Sequence, residues 1–190
     1  MRIVAGVFKG RRLSTPKGMD IRPTSDKVRQ AIFNILPMEF PFERALDLFA
    51  GTGAMGLEAL SRGAREATFV DSGAEAISLI KKNMESCGVE ARVYRSDAQA
   101  SLKQFARKGE KFDLIIIDPP YSTTLLREAL EAIDSDGLLS PEGVIVAETA
   151  KRNALEADLK ALEVYDERRY GDTVVYFLKH KAPKESAENV

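Results

Sequence analysis

Apolar and polar residues follow two alternating patterns from residue 45 onward. Short apolar runs rich in β-branched residues predict buried strands, and longer segments with an apolar residue every three or four positions predict amphipathic helices. Alternation of the two is typical of a parallel sheet with helices on both faces. The predicted strands are 45–49, 67–70, 91–95, 114–117 and 144–148, and the predicted helices are 55–62, 74–86, 101–107, 125–133 and 154–162.

The two ends of the chain show different patterns. Residues 164–170 and 173–179 are extended segments separated by a Gly-Asp pair, which predicts an antiparallel hairpin. Residues 2–8 and 11–13 predict a smaller hairpin, and an apolar stripe at helical spacing predicts a helix over 24–36. The whole pattern predicts an α/β fold with a mostly parallel, seven-stranded sheet, helices on both faces, an antiparallel C-terminal hairpin and a small N-terminal β-hairpin.

The amino-acid composition limits the cellular compartment and the kinds of site that are expected for this chain. The chain has 190 residues with one cysteine, Cys87, and one histidine, His180. A lone cysteine excludes an internal disulfide and favours a reducing cytosol, and a single His and Cys argue against a His/Cys metal site. No apolar run approaches the roughly 20 residues of a membrane-spanning helix, and the N-terminus has no apolar core of the kind found in secretory signals. We therefore expect a cytoplasmic monomer with no metal and no membrane partner.

The net charge of −1 conceals an uneven distribution along the chain. Residues 1–29 contain eight basic and two acidic residues, so they carry +6 and leave −7 for the remainder. A basic segment on an acidic body is typical of polyanion binding, although a solvated charged surface has the same composition. We predict a basic arm over 1–23, a main domain over 24–180 and a disordered polar tail over 181–190.

A glycine-rich loop follows the first predicted strand of the main domain. Gly51, Gly53 and Gly56 match the G-x-G-x-x-G spacing that lets a backbone approach a nucleotide just before a helix begins. Asp71 falls 20 residues after Gly51, at the end of the next strand, where a carboxylate can bind ribose hydroxyls. The strand–loop–helix context predicts a nucleotide-type ligand rather than a structural glycine turn.

Four carboxylates decide which nucleotide fits. Asp47, Asp71, Asp97 and Asp118 are predicted at the carboxyl ends of successive strands, although each alone could be a helix cap or a turn residue. Together they would repel the pyrophosphate of NAD or FAD by several kcal/mol. They suit a ligand with a sulfonium, an ammonium and an adenosine, namely S-adenosylmethionine. We predict Asp47 toward its methionine end, Asp71 on its ribose and Asp97 near its adenine amine.

The strand 114–117 stops abruptly at Asp118-Pro119-Pro120-Tyr121. Two prolines end the backbone ladder and force a turn at the edge where open α/β sheets bind ligands. An ordinary proline turn would have the same sequence. In the presence of the glycine-rich loop, however, the Asp118 carboxylate and the Pro119 carbonyl are suited to accept both N–H bonds of an exocyclic base amine. Tyr121 would then stack on an unpaired or flipped base.

With these motifs in place, the chain resembles the RsmD-type 16S rRNA guanine-N2 methyltransferases, a family of class I S-adenosylmethionine-dependent enzymes. The resemblance covers nearly the whole chain apart from the C-terminal tail, and its most discriminating part is the Arg-Pro-Thr segment. The matching residues are Arg22-Pro23-Thr24, Asp26-Lys27-Val28-Arg29, Phe33-Asn34, 46–53, 56–63, Asp118-Pro119-Pro120-Tyr121 and Tyr170-Gly171-Asp172.

The resemblance implies a Rossmann-like fold and methyl transfer from S-adenosylmethionine to the N2 amine of a guanine in small-subunit ribosomal RNA, in an assembled particle. It implies cofactor contacts from Asp47, Phe49, Gly51, Gly53, Asp71, Asp97 and Asp118. It implies catalysis by Asp118, Pro119, Pro120 and Tyr121, and RNA contacts from Arg2, Lys9, Arg11, Arg12 and Arg22.

Two other functions fit part of the sequence. A DNA adenine-N6 methyltransferase can use the same Asp-Pro-Pro-aromatic tetrapeptide, but such enzymes normally need additional chain to read duplex sequence. A non-catalytic nucleotide-binding or RNA-binding module requires the tetrapeptide to be incidental. Methyl transfer to rRNA particles or to duplex DNA distinguishes these possibilities.

Overall fold

The computed structural model describes residues 1–16, 26–36, 42–120, 123–153 and 155–182. These ranges contain five helices and one seven-stranded sheet. The helices are α1 (Asp26–Ile35), α2 (Ala54–Ser61), α3 (Ala74–Cys87), α4 (Ala98–Arg107) and α5 (Thr123–Asp136). The strands are β1 (Arg44–Leu48), β2 (Glu66–Asp71), β3 (Arg92–Arg95), β4 (Phe112–Ile117), β5 (Leu139–Ala150), β6 (Leu162–Tyr170) and β7 (Thr173–His180).

The strand order in the sheet is β3-β2-β1-β4-β5-β7-β6. The first five strands in this order pair in parallel, and β7 pairs antiparallel with both β5 and β6. The predicted mostly parallel sheet with an antiparallel C-terminal hairpin is thus confirmed. The chain winds outward in opposite directions from β1 and β4, and open α/β sheets bind ligands at the carboxyl ends of the strands where the order reverses in this way.

Side chains on both faces of the central strands are buried, as the apolar runs predict. On one face, Leu48 of β1 and Ile117 of β4 belong to a core that includes Phe105 of α4. On the other face, Ile116 packs in a second core with Ile32 of α1. No helix in the described ranges has the combination of length and apolar character needed to cross a membrane.

The predicted helix over 154–162 is wrong. Residues 155–161 are irregular, and β6 begins at Leu162, while Ala154 lies outside the described residues. Residues distant in sequence bind backbone amides and carbonyls that would otherwise form the hydrogen bonds of a helix. The Asp134 carboxylate accepts hydrogen bonds from the amides of Lys160 (2.6 Å) and Ala161 (2.9 Å), and the Lys181 ammonium donates to the Lys160 carbonyl (2.8 Å).

The predicted N-terminal hairpin is short, with one antiparallel bridge between Arg2 and Arg12 and a hydrogen bond from the Ile3 amide to the Arg11 carbonyl at 2.9 Å. The backbone between them also forms hydrogen bonds with side chains of α2. The amide of Val4 donates to the Glu58 carboxylate at 2.8 Å, and the amide of Phe8 donates to the Ser61 hydroxyl at 2.9 Å. The N-terminal segment is therefore docked on the main domain along the helix that follows the glycine-rich loop.

Candidate active site

The glycine-rich loop joins β1 to α2 at the carboxyl edge of the sheet. Gly51 and Gly53 have φ of 55° and 75°, in the left-handed region that glycine adopts without strain. A Cβ atom placed on Gly51 would meet no protein atom within 4 Å, so the loop is open at this residue. Bare backbone thus faces free space at the sheet edge where ligands bind.

Phe49, the residue between β1 and the loop, has a φ of 68° and is the one non-glycine residue in the described ranges with positive φ. A left-handed conformation costs a side-chain-bearing residue about 1–2 kcal/mol. Its half-buried ring packs against the core that contains Leu48 and Ile117. Strain of this kind is concentrated at functional sites, which supports the predicted cofactor contact from Phe49.

Asp47 lies one residue inside the end of β1 and is buried. Its carboxylate accepts a hydrogen bond from the Gly56 amide at 2.8 Å, which ties the first turn of α2 to the strand. A Cβ atom on Gly56 would lie 2.4 Å from the Phe69 ring, so glycine permits this close packing of helix and strand.

Burial raises the pKa of the Asp47 carboxyl to about 7, against the lowering effect of the Gly56 hydrogen bond and with a smaller contribution from the charge of Asp71. In the structure, Asp47 stabilises the start of the helix that follows the loop, through its hydrogen bond with the Gly56 amide. Its predicted contact with the methionine end of the cofactor stays a prediction.

Asp71 lies at the end of β2, beside the open face of the loop. One carboxylate oxygen accepts a hydrogen bond from the Gly51 amide and the other from the Gly73 amide, both at 2.8 Å. A carboxylate oxygen has capacity for two hydrogen bonds, so both oxygens can still accept from a ligand. Asp71 is thus fixed beside the loop, and its predicted contact with a ribose stays a prediction.

Asp97 caps the N-terminus of α4, where its side chain accepts a hydrogen bond from the Ala100 amide at 2.8 Å. This is the ordinary capping role that an aspartate at a strand–helix junction can have. The side chain is exposed, so a contact with the adenine amine is compatible with the cap and stays a prediction.

Sheet register brings the glycine-rich loop and the proline turn together. Leu48 is paired with Ile117 of β4 on one side and with Val70 of β2 on the other. The residues that follow Val70 and Ile117, namely Asp71 and Asp118, therefore lie on either side of the start of the loop. Two strand spacings put their Cα atoms about 10 Å apart. Asp118 is half-buried.

The two prolines differ in exposure, since Pro119 is buried and Pro120 is exposed. Tyr121 lies outside the described residues, so the predicted stacking on a base stays a prediction. His180, by contrast, contacts the Leu139 carbonyl at the amino end of β5, with 3.3 Å between its Nε2 and that oxygen. The histidine is thus at the opposite edge of the sheet from Asp118.

The basic side chains of the arm face outward. Arg2, Lys9, Arg11 and Arg12 are exposed, and Arg2 forms an ion pair with Asp26 at 3.6 Å. Arg22, also predicted to bind RNA, lies outside the described residues. The arm reaches the glycine-rich loop directly, because the Thr52 hydroxyl donates to the Met1 sulfur at 3.6 Å.

Two buried polar residues that the sequence analysis did not select hold the arm in place. Glu58 of α2 and Asn83 of α3 are both fully buried and accept hydrogen bonds from arm amides. A signal existed for Asn83, because it lies three residues after Ile80 and one before Met84 on the buried face of its helix. A polar residue in that place needs a partner, although sequence does not say which.

A cleft of about 210 Å³ lies between the first half of α5 and the carboxyl end of β5. Its lining includes Thr124 and Arg127 from α5, Thr149 from β5, and Arg152 and Asn153 from the following turn. Within the described ranges, no group of three or more His, Cys, Asp or Glu side chains is arranged to hold a metal ion.

Comparisons with known proteins agree with this architecture. Residues 1–179 match the family model described as "Conserved hypothetical protein 95". The chain is 39% identical to YlbH of Bacillus subtilis (strain 168) over 183 residues, covering 95% of this chain and 100% of YlbH. It is 33% identical to the Ribosomal RNA small subunit methyltransferase D of Escherichia coli (strain K12) over 187 residues, covering 98% of this chain and 93% of that protein.

Solved structures show the same fold. The structure of yhhF from Escherichia coli superposes with a TM-score of 0.84 at 33% identity, covering 96% of this chain and 99% of that one. A Thermus thermophilus 16S rRNA N2 G1207 methyltransferase in complex with AdoMet and guanosine has a TM-score of 0.64 at 21% identity, covering 87% of this chain and 45% of that one, which establishes a shared fold. The fold is that of class I methyltransferases, and the chain belongs to the RsmD-type methyltransferase family.

Proposed function

We propose that this protein transfers a methyl group from S-adenosylmethionine to the exocyclic N2 amine of a guanine in small-subunit ribosomal RNA. The observation that carries the proposal is the pairing of β1 with β4, which sets Asp118-Pro119-Pro120 beside the glycine-rich loop. The 33% identical Escherichia coli relative, whose name gives small-subunit ribosomal RNA as its substrate, supports this choice of RNA.

The loop and its surroundings fit S-adenosylmethionine. Open backbone at Gly51 can receive the ligand, and the Asp71 carboxylate beside it can accept from ribose hydroxyls. Carboxylates at several strand ends favour a cationic ligand over a pyrophosphate. We assign cofactor contacts to Asp47, Phe49, Gly51, Gly53, Asp71, Asp97 and Asp118. When bound, the cofactor supplies the electrophilic methyl group.

Asp118 and Pro119 would activate and aim the target amine. The lone pair of a guanine N2 is delocalised into the ring, so the amine is a weak nucleophile. Hydrogen bonds from its two N–H groups to the Asp118 carboxylate and the Pro119 carbonyl concentrate electron density on nitrogen and fix its direction. The alkylated nitrogen loses its proton readily, so no strong base is required, in keeping with a histidine that contacts the Leu139 carbonyl at the amino edge of the sheet. Tyr121 would stack on the base.

The basic arm would bind RNA phosphates through Arg2, Lys9, Arg11, Arg12 and Arg22. Its exposed charges lie on a backbone segment that is docked beside the loop. An arm this small reads little sequence by itself, so we propose that a folded ribosomal particle supplies much of the selectivity.

Methyl transfer from tritium-labelled S-adenosylmethionine tests the proposal. The substrates are small subunits purified from cells that lack the protein, protein-free 16S rRNA, and duplex DNA. We expect label in the small subunits and N2-methylguanosine on mass spectrometry of the digested RNA, with little label from an Asp118→Asn variant. N6-methyladenine in the DNA, or no labelled product with any substrate, would refute the proposed function.

A further inference from the structure

Asn83 joins the arm to the glycine-rich loop through one buried amide. Its Oδ1 accepts a hydrogen bond from the Ser14 amide at 2.7 Å, and its Nδ2 donates to the Ser14 carbonyl at 3.1 Å. The same Nδ2 donates to the Thr52 carbonyl at 2.9 Å. One side chain of α3 therefore holds a residue of the arm and a residue of the loop at the same time.

The loop needs an anchor of this kind. Thr52 lies between Gly51 and Gly53, both of which have positive φ. Glycine loses more backbone entropy than other residues when it is fixed, so a loop with two glycines in three residues is costly to order. The hydrogen bond from Asn83 fixes the carbonyl between the two glycines from outside the loop.

The arm fixes the Asn83 side chain that binds the loop. Ser14 fixes the orientation of the Asn83 side-chain amide, because the Ser14 amide donates to Oδ1 and the Ser14 carbonyl accepts from Nδ2. With Ser14 displaced, the Asn83 side chain would be free to rotate away from Thr52. Docking of the arm thus orients the donor that fixes the loop.

We propose that Asn83 is a positioning residue that links the docked arm to the cofactor loop, so that arm docking and cofactor binding reinforce each other. The inference rests on the proposed assignment of the loop as the cofactor site. It gives the arm a second role beyond holding RNA, because a segment that contacts the polyanion also sets the shape of the methyl-donor site. Linkage of this kind is reciprocal: a cofactor that orders the loop stabilises the docked arm by the same factor.

Two substitutions break the link, one at Asn83 and one at Ser14. Asn83→Asp keeps the size of the side chain and the acceptor for the Ser14 amide but replaces Nδ2, which donates to the carbonyls of Thr52 and Ser14, with a carboxylate oxygen. Ser14→Pro removes the arm amide that donates to Asn83 and does not alter the loop. Each lost hydrogen bond should weaken binding by roughly 3- to 10-fold. Ile133→Val, in the buried face of α5, is the control for a general loss of stability.

Calorimetric titration with S-adenosylhomocysteine measures the effect. We expect Kd to rise about 3- to 10-fold for both Asn83→Asp and Ser14→Pro and to stay unchanged for Ile133→Val, while kcat at saturating S-adenosylmethionine stays within about twofold of wild type. A folded Asn83→Asp or Ser14→Pro protein with wild-type Kd would overturn the inference. So would a Kd for Ile133→Val that rises as much as theirs.

Amide hydrogen exchange in the wild-type protein provides a test that needs no variant. S-adenosylhomocysteine should slow exchange at Ser14, and an unchanged rate would overturn the link. Gly51→Asn separates this outcome from a failure of the proposed site. If that variant binds S-adenosylhomocysteine normally, the loop assignment is wrong; if it does not bind while Asn83→Asp binds as wild type, only the link is wrong.

Discussion

Replacing Glu58 with glutamine tests how the arm is attached to the main domain. The carboxylate has no exposed surface and accepts hydrogen bonds from the amides of Val4 (2.8 Å) and Ala5 (3.0 Å). It also accepts from Nε of Arg62 (2.8 Å) and Nε of Arg29 (3.4 Å). A glutamine keeps the size of the side chain but replaces one acceptor oxygen with an NH₂ group that faces other donors.

The expected loss of stability is large because the charge is buried. A hydrogen bond to a charged group contributes about 1.5–3 kcal/mol, and removing one partner of a buried ion pair costs about 3–5 kcal/mol. Arg29 is fully buried and would keep Asp26 as its partner, 2.8 Å away, so we expect the lower part of that range. About 3 kcal/mol is a substantial fraction of the 5–15 kcal/mol that stabilises a typical domain.

Urea unfolding followed by circular dichroism measures this change. Glu66→Gln is a matched control, because Glu66 is exposed and its ion pair with Arg44 spans 3.8 Å, so its loss should cost less than about 1 kcal/mol. Trypsin should cleave after Lys9 faster in the Glu58→Gln protein than in wild type, since the arm is released. A loss below 1 kcal/mol for Glu58→Gln, equal to that of the control, would contradict the idea that the buried carboxylate holds the arm.

Four further predictions concern the proposed site. Asp118→Asn should lower kcat by about 100- to 1,000-fold and leave the Kd of S-adenosylhomocysteine within about threefold, and substantial retained turnover would reject its role. Gly51→Asn should abolish cofactor binding in calorimetry, whereas Gly88→Asn, at a φ of 67° with equally open surroundings, has a similar backbone cost and should bind normally. RNA affinity should fall by about 0.7–0.9 log units per log unit of salt for each arm contact, and Lys9→Ala should reduce this slope by one contact; a flat salt response would exclude the arm as the binding surface. Asp47 has a pKa raised from 3.8 to about 7, so the folded state retains its proton and the free energy of unfolding should fall by about 3 kcal/mol as pH rises from 4 to 7. In urea unfolding, Asp47→Asn should remove that decline, and an unchanged pH profile would contradict the raised pKa.

Local sequence pattern was enough to predict which residues lie at the sheet edge where the site is proposed. The apolar run 114–117 had to be a buried strand, and the prolines after it had to end that strand, so Asp118 could be placed at the sheet edge from sequence. The same reasoning placed Asp71 at the end of β2. Both positions follow from the carboxyl ends of parallel strands meeting at one edge, where β1 and β4 are neighbours.

The sequence pattern did not predict structure that depends on contacts between residues distant in sequence. The segment 154–162 has leucines at helical spacing, but its backbone is bound by Asp134 and Lys181, which are distant in sequence. Helical propensity is a weak preference that tertiary contacts override. Asp47 could likewise be expected near the ligand, but sequence could not show that its carboxylate accepts a hydrogen bond from Gly56.

The buried polar residues reveal how far the arm and the main domain depend on each other. Nearly every residue of α2 is buried, so a carboxylate within it, that of Glu58, requires hydrogen-bond donors. Arg29 and Arg62 supply some of them, but two are amides of the arm, more than 50 residues away in sequence. Asn83 likewise takes its donor from Ser14. A chain that began at residue 24 would lose these amide donors to the buried Glu58 and Asn83 side chains, so the arm completes the packing of the helices that support the glycine-rich loop.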